Sequence, residues 1–220
     1  YISHLELMDT FRKSFRRAQL PVAFTQGYNP HIKLSLGQPL SVGMIGKSEY
    51  FDLNLTKKFD RIILLNQLNK VVPDGINILQ ARHIPETSKS LQAVVNCAVY
   101  DIKLNFNKDK ITEKHSKEIV KDFLKKEEII ITRIRRNKSN RELDLRPMIY
   151  DIKILESNLW RFTVSTGSRG NVRPEELIKA LKNNYSLIEE IPVINFMREG
   201  LYVRENQELY PPFSEVIVGR

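Results

Sequence analysis

The chain has 220 residues, with 35 Lys and Arg against 26 Asp and Glu, a formal charge of +9. Hydrophobic residues at 41% and charged residues at 28% exclude a disordered chain, and no apolar run reaches the roughly 18–20 residues of a membrane-spanning helix. A single cysteine, Cys97, excludes an internal disulfide, a CxxC metal knuckle and a self-contained iron–sulfur cluster.

The first element is a helix. Ser3-His4-Leu5-Glu6 reads as a capping box, and Leu5, Met8, Phe11, Phe15 and Ala18 recur at three- and four-residue spacing on one face. Arg12, Lys13, Arg16 and Arg17 gather toward its C-terminal end, where cations complement the helix dipole, and Pro21 stops it. Thr25 to Pro30 is a loop by its Gly, Asn and Pro content. Ile32, Leu34 and Leu36 alternate with polar residues in a strand, as do Phe51, Leu53 and Leu55 in the next. A helix follows from about Phe59 to Val71, then a turn at Pro73-Asp74-Gly75 and a strand from Ile76 to Ala81.

The order then repeats. Val94 to Phe106 is strand-like, Glu113 to Lys126 is a helix, and Glu128 to Arg136 with Arg141 to Leu145 forms a strand pair around a turn at Asn137 to Asn140. Ile149 to Leu155 and Trp160 to Ser165 give a second hairpin. Pro174 at a first helical position, with Glu175 and Glu176 beside it, opens a helix to about Asn183, and a strand from Val193 to Val203 closes the unit.

The expected fold is α+β: two ferredoxin-like βαββαβ units in tandem, each an antiparallel sheet with helices on one face, the second carrying an extra hairpin. The units fall at residues 1–88 and 89–204, with a tail at 205–220 expected along the surface or against a partner. The first unit lacks its leading strand, which is expected upstream of Tyr1. No leader is visible and there is one thiol, so the cytoplasm is the expected compartment.

The run SHLELMDTFRKSFRRAQLPVAFTQGYNPHIKLSLGQPLSVG, from Ser3 to Gly43, resembles the start of the bacterial radical-SAM-linked protein family, whose domain is one of unknown function. The blocks LDLRPMI (Leu143 to Ile149), GNVRPEEL (Gly170 to Leu177) and REGLY (Arg198 to Tyr202) are similar to its pattern too. Glu6 stands where members commonly have Asp, and either residue caps a helix. The resemblance implies a radical-SAM protein as partner and the company of genes for ribosomal proteins and an RNase of the E/G type. It brings no established catalytic residues. A radical-SAM enzyme holds its cluster with three cysteines, so with one cysteine this chain is expected to be a companion, without a cofactor of its own.

Three sets of residues invite a functional reading. From Thr132 to Arg146 there are six cations (Arg133, Arg135, Arg136, Lys138, Arg141, Arg146) against two anions, and from Tyr1 to Lys33 five against two, so +7 of the +9 lies in two segments. A basic hairpin with a basic helix (Arg12, Arg16, Arg17) suits a phosphate backbone, RNA in particular or a ribosomal component, because neutralising phosphates releases counterions. A solvated hairpin and a helix end complementing its own dipole is the plain alternative. The loop holding Gly167, Arg169, Gly170 and Arg173 can aim amides and guanidinium groups at an anion, although Glu175 and Glu176 would repel one. In the loop of Gln26, Tyr28, Asn29 and His31, the rings can stack on a base and the amides can read its edge; a tight turn around Gly27 is the alternative.

His4 and His31 are the weak candidates for catalysis, as base and acid of a metal-independent endoribonuclease. The four histidines and one cysteine show no metal-ligand spacing. The leading expectation is a non-catalytic, cytoplasmic accessory module that binds RNA beside a radical-SAM partner. The alternatives are a module that docks that partner without RNA, and the endoribonuclease.

Overall fold

The computed structural model describes residues 2–104, 112–134, 139–185 and 196–218. Among them it is a mixed α+β structure with six α-helices. No helix there is long and apolar enough to cross a membrane.

Helix α1 (His4–Arg17) begins as its sequence requires. Ser3 Oγ accepts from the Glu6 N–H at 3.3 Å, and the Glu6 carboxylate accepts from the Ser3 N–H at 2.6 Å, a complete capping box. Its apolar face buries Phe11 and Phe15 against Phe51, with ring centroids 4.9 and 5.8 Å away. Strands β1 (Leu34–Leu36) and β3 (Phe51–Leu53) pair antiparallel, Ser35 opposite Asp52. Helix α2 (Arg61–Asn69), capped by Asp60 Oδ1 at the N–H groups of Ile62 and Ile63, places the fully buried Leu68 in the same core.

The larger sheet runs in the order β10 (Glu208–Tyr210), β9 (Phe196–Glu205), β4 (Cys97–Lys103), β8 (Leu159–Ser165), β7 (Ile149–Glu156). All these neighbours are antiparallel. Strand β2 (Ile45–Gly46) joins β9 in parallel, on the edge that β10 also uses. The register sets Ala98, Tyr100 and Ile102 opposite Val164, Phe162 and Trp160. This apolar face packs with Ile119 and Phe123 of α4 (Glu113–Lys125) and Leu177 and Leu181 of α5 (Pro174–Asn184). Trp160, Phe162 and Phe123 are wholly buried there, each contributing on the order of 2–3 kcal/mol of transfer free energy. A separate hairpin, β5 (Ile130–Arg133) with β6 (Arg141–Asp144), turns Ile131 into that core.

Several expectations need correction. Ile76 to Ala81 is not a strand: no ladder partner lies beside it among the described residues. The Asn69 side-chain amide takes up the Ile78 N–H and C=O instead, at 2.8 and 2.9 Å. A tandem of two ferredoxin-like units is therefore not established, because among the described residues the first half has a two-stranded β1–β3 sheet and the two-residue β2, which pairs with β9 instead. Val94 ends a short helix, α3 (Leu91–Val94), rather than opening a strand. The strand β2 has no periodic signal, since its two residues pair through backbone alone and both are exposed. The tail packs: β10 extends the large sheet, and the Phe213 ring lies tilted against Tyr50, with centroids 5.6 Å apart.

Apolar contacts fall into two clusters, one built from α1, β1, β3 and α2, the other around the large sheet. Met44, with Leu40 and Tyr50 at the fringe, belongs to the second although it lies early in the chain. What holds the 38–49 loop there is Arg198, almost wholly buried on β9, which donates to Glu49 at 2.7 Å and to the carbonyls of Gln38 and Pro39 at 2.7 and 3.2 Å.

Candidate functional site

A cation bound to its own fold is a poor ligand for a phosphate, so the partners of each Arg and Lys decide which surface is basic. Arg133, expected on the nucleic-acid face, is taken up structurally: its guanidinium grips Glu176 at 2.6 and 2.7 Å and the Asn171 carbonyl at 2.8 Å, pinning β5 to the start of α5. Arg146 is held by the carbonyls of Leu124 and Ile149. Arg141 at the start of β6 is exposed, and no partner is seen for it among the described residues. Arg135, Arg136 and Lys138 lie outside the described residues.

On α1 the balance is different. Arg12 makes one exposed pair with Asp9 at 3.3 Å. Lys13, Arg16 and Arg17 are exposed on the helix surface and have no partner among the described residues. Of the two basic segments, the described cations left without an internal partner therefore include Lys13, Arg16 and Arg17 on α1 and Arg141 on β6.

The loop after it is built as a closed turn. Thr25 N–H donates to the His31 carbonyl at 2.8 Å, His31 N–H donates to Thr25 Oγ1 at 3.0 Å, and Phe24 bridges to Ile32. This clamp leaves residues 26–30 projecting. Gly27 has φ of 124°, a conformation that strains any residue with a Cβ, although no atom lies within 4 Å of where that Cβ would sit. Tyr28 is fully exposed, and Gln26, Asn29 and His31 are exposed around it. An aromatic ring left wholly in water at the tip of an ordered turn buries nothing within its own chain, and a flat ring so presented can stack on another π-face.

The glycine loop before α5 is arranged otherwise. Gly167 and Gly170 take φ of 82° and 140°, and the loop is tied by Ser165 Oγ donating to the Gly170 carbonyl at 3.1 Å. At the α5 N-terminus the Glu176 carboxylate accepts from the Arg173 N–H at 3.0 Å as well as from Arg133, so the helix carries its own anion at the place where a ligand would bind. The Arg173 residue is exposed, and the Arg169 side chain lies outside what is described. His4 lines a large cleft beside α1, and His31, at the clamp of the 25–31 turn, is not among the residues that line it. Among the described residues no group of three metal-ligating side chains forms.

Two features carried no sequence signal. One is an ion-pair chain on the sheet face away from the helices. Asp101 accepts from Arg161 at 2.7 and 2.8 Å, Arg161 reaches Glu199 at 3.4 Å, and Glu199 holds Lys47 at 2.9 Å. These charges come from four strands or loops distant in sequence. At the start of β4 Cys97 is fully buried, and burial pushes its thiol up to about 12, which makes it unreactive at neutral pH. The other is the cleft, of about 1020 Å³, bounded by α1, β3, the 73–84 segment and the tail. At its edge burial lifts the Asp52 carboxyl above its ordinary range, opposed by the hydrogen bond it accepts from the Leu91 N–H. Burial also pushes the Tyr50 phenol up to about 12, with the neighbouring Tyr202 and Glu49 adding to the effect.

No curated protein matches the chain. The model of the family described as "uncharacterized protein conserved in bacteria (DUF2344)" matches residues 1–174, and the chain belongs to that family.

Proposed function

We propose that this protein is a non-catalytic, cytoplasmic RNA-binding module, an accessory to a radical-SAM protein, with α1 and the 25–31 turn as its RNA contact. The observation that carries the reading is Tyr28, fully exposed on a turn held shut by Thr25 and His31. Base stacking on such a ring contributes about 1–3 kcal/mol per base and tolerates any sequence. Gln26 and Asn29 beside it supply donors and acceptors for base edges. Lys13, Arg16 and Arg17, without internal partners among the described residues, supply phosphate contacts. The radical-SAM partner rests on the resemblance of the Ser3 to Gly43 block. The order β9-β4-β8-β7, with α4 and α5 in the crossovers, supports reading the second half as one ferredoxin-like unit.

The test is fluorescence anisotropy with labelled single-stranded RNA over a series of salt concentrations. Arg16→Ala with Arg17→Ala should lower the slope of log K against log salt by roughly 1.4, at about 0.7 for each phosphate that is no longer neutralised. Tyr28→Ala should weaken binding by about 1–3 kcal/mol and leave that slope unchanged. Absence of binding to single-stranded RNA at about 50 mM salt overturns the proposal.

A further inference from the structure

Residues 21–24, 31–33 and 54–56 meet at one corner of the small sheet. Ala23 N–H donates to the Asn54 carbonyl at 2.8 Å, Lys33 N–H to the Ala23 carbonyl at 2.9 Å and Asn54 N–H to the Lys33 carbonyl at 3.1 Å, a closed ring of three backbone bonds. Val22 bridges to Leu55 on one side of it and Phe24 to Ile32 on the other. Strand alternation then separates two faces. Val22, Ile32, Leu34, Leu53 and Leu55 point into the apolar cluster shared with α1 and α2. Thr25, His31, Lys33, Ser35, Asp52 and Asn54 point the other way.

That outer face is covered at one end. There α3 is tied down, Leu91 N–H donating to the Asp52 carboxylate at 3.1 Å and Gln92 Nε2 to the Leu36 carbonyl at 3.3 Å. At the other end Thr25, His31, Lys33 and Asn54 are exposed around a half-buried Ala23, a floor of small and polar side chains. The floor runs into the 25–31 turn without a break, because Thr25 and His31 are both its margin and the clamp of that turn.

The charge around this floor has one sign. No Asp or Glu stands between Asp9 and Glu49, or between Leu53 and Phe59. The carboxylates that flank these stretches are engaged: Asp9 with Arg12, Glu49 with Arg198, Asp52 with the Leu91 N–H and Asp60 with the first amides of α2. Thr56 donates its N–H and its hydroxyl to the Pro21 carbonyl, which carries the exposed Lys57 and Lys58 to the same corner. No partner is seen for Lys33, Lys57 or Lys58 among the described residues. A phosphate backbone meets no repulsion there, and a polar floor beside a stacking ring offers base edges the donors and acceptors that a plain cationic patch lacks. Resting on the RNA reading above, we infer that this outer corner is the base-reading floor of the site. The nucleotide next to the one stacked on Tyr28 lies over Ala23, with Asn54 and His31 at its base edge and Lys33 at its phosphate. The site therefore takes unpaired strands and prefers some bases over others, a preference that stacking on Tyr28 alone does not supply.

The test is fluorescence anisotropy with labelled oligo-A, oligo-C and oligo-U of equal length. Wild type should separate the best from the worst of the three by at least about fivefold, the low end for a base-edge contact. Asn54→Ala keeps the backbone ring, so it should bring the three affinities to within about twofold and leave the salt slope unchanged. Lys33→Ala should lower the slope of log K against log salt by about 0.7, while Lys121→Ala on α4 leaves it as it is. Binding that depends on Tyr28 but is equal for the three oligonucleotides, or keeps its preference in Asn54→Ala, overturns this inference and leaves the RNA reading standing. So does a salt slope that Lys33→Ala changes no more than Lys121→Ala. Displacement of the RNA by poly-glutamate as readily as by poly-U at equal charge assigns the floor to any polyanion and overturns it too. No binding to any of the three removes both.

Discussion

The two apolar regions of this protein differ in how completely their sheets are closed. Around the large sheet, β4 is paired with β8 from Cys97 to Lys103 and with β9 from Cys97 to Ile102, and Trp160, Phe162 and Phe123 are wholly buried. In the first region β3 is paired on one side only among the described residues, and Leu5 and Leu79 remain mostly exposed beside a core that nevertheless buries Phe15 and Leu68 completely. A sheet with free edges leaves backbone groups for water or for another strand, and opening it exposes less surface than opening a closed one. The same class of residues, alternating Phe and Leu, thus lies in a sheet paired on both sides in one half and in a two-stranded sheet in the other.

The strongest way to break that contrast is a pair of core truncations. Phe162→Ala and Phe15→Ala each remove a wholly buried ring, and each should cost about 3–5 kcal/mol. Phe162→Ala should destabilise the whole molecule, whereas Phe15→Ala should speed exchange of β1 and β3 amides while those of β4 and β8 keep their protection. Loss of protection in all four strands for both variants would show a single cooperative unit.

Next in size is the link between the regions. Arg198→Ala removes a buried guanidinium that holds Glu49 and two carbonyls of the 38–39 turn. Glu49 is about one third exposed and can recover water, so the cost should fall at the low end for a broken buried pair, about 3 kcal/mol in urea denaturation. A loss under about 1 kcal/mol would mean that β2 and Met44 hold the loop without it.

Smaller still is the cap. Ser3→Ala removes the acceptor for the Glu6 N–H and should cost about 1 kcal/mol, confined to α1 exchange rates. An equal change in α4 amides would contradict a local effect.

The smallest expected change depends on pH. Burial raises the Asp52 carboxyl in the folded state, so the native protein binds that proton more tightly than the unfolded chain. The associated stability is complete below the ordinary carboxylate range and is lost as pH rises through the folded value. Asp52→Asn keeps an acceptor for the Leu91 N–H and cannot ionise, so it should gain on wild type between about pH 3 and pH 7. A difference that stays constant across that range would assign no role to the carboxyl.

Much of the local structure was legible because its causes are local. The Ser3–Glu6 box, the Pro174 start of α5 and the alternation of β7 and β8 all sit where short-range chemistry puts them. Ile76 to Ala81 misled because alternation reports an amphipathic extended segment and not whether a neighbour exists to complete the ladder. The Arg133 to Arg141 run was legible as charge and not as pairing. Counting charge does not reveal that Glu176, 43 residues further on, neutralises Arg133. The Tyr28 turn was legible as a turn, but its exposure was not, since a tyrosine after Gly27 packs or projects according to what lies beneath it.

The helices, the strands with strong alternation, the caps and the total charge are thus written in the sequence, because each follows from neighbours within a few residues. Which cations remain free, which edges of the sheets are satisfied and where a cleft opens are settled at the tertiary level. Those outcomes depend on pairings between residues far apart in the chain, such as Arg198 with Glu49 and Asp101 with Arg161, and no local pattern encodes them.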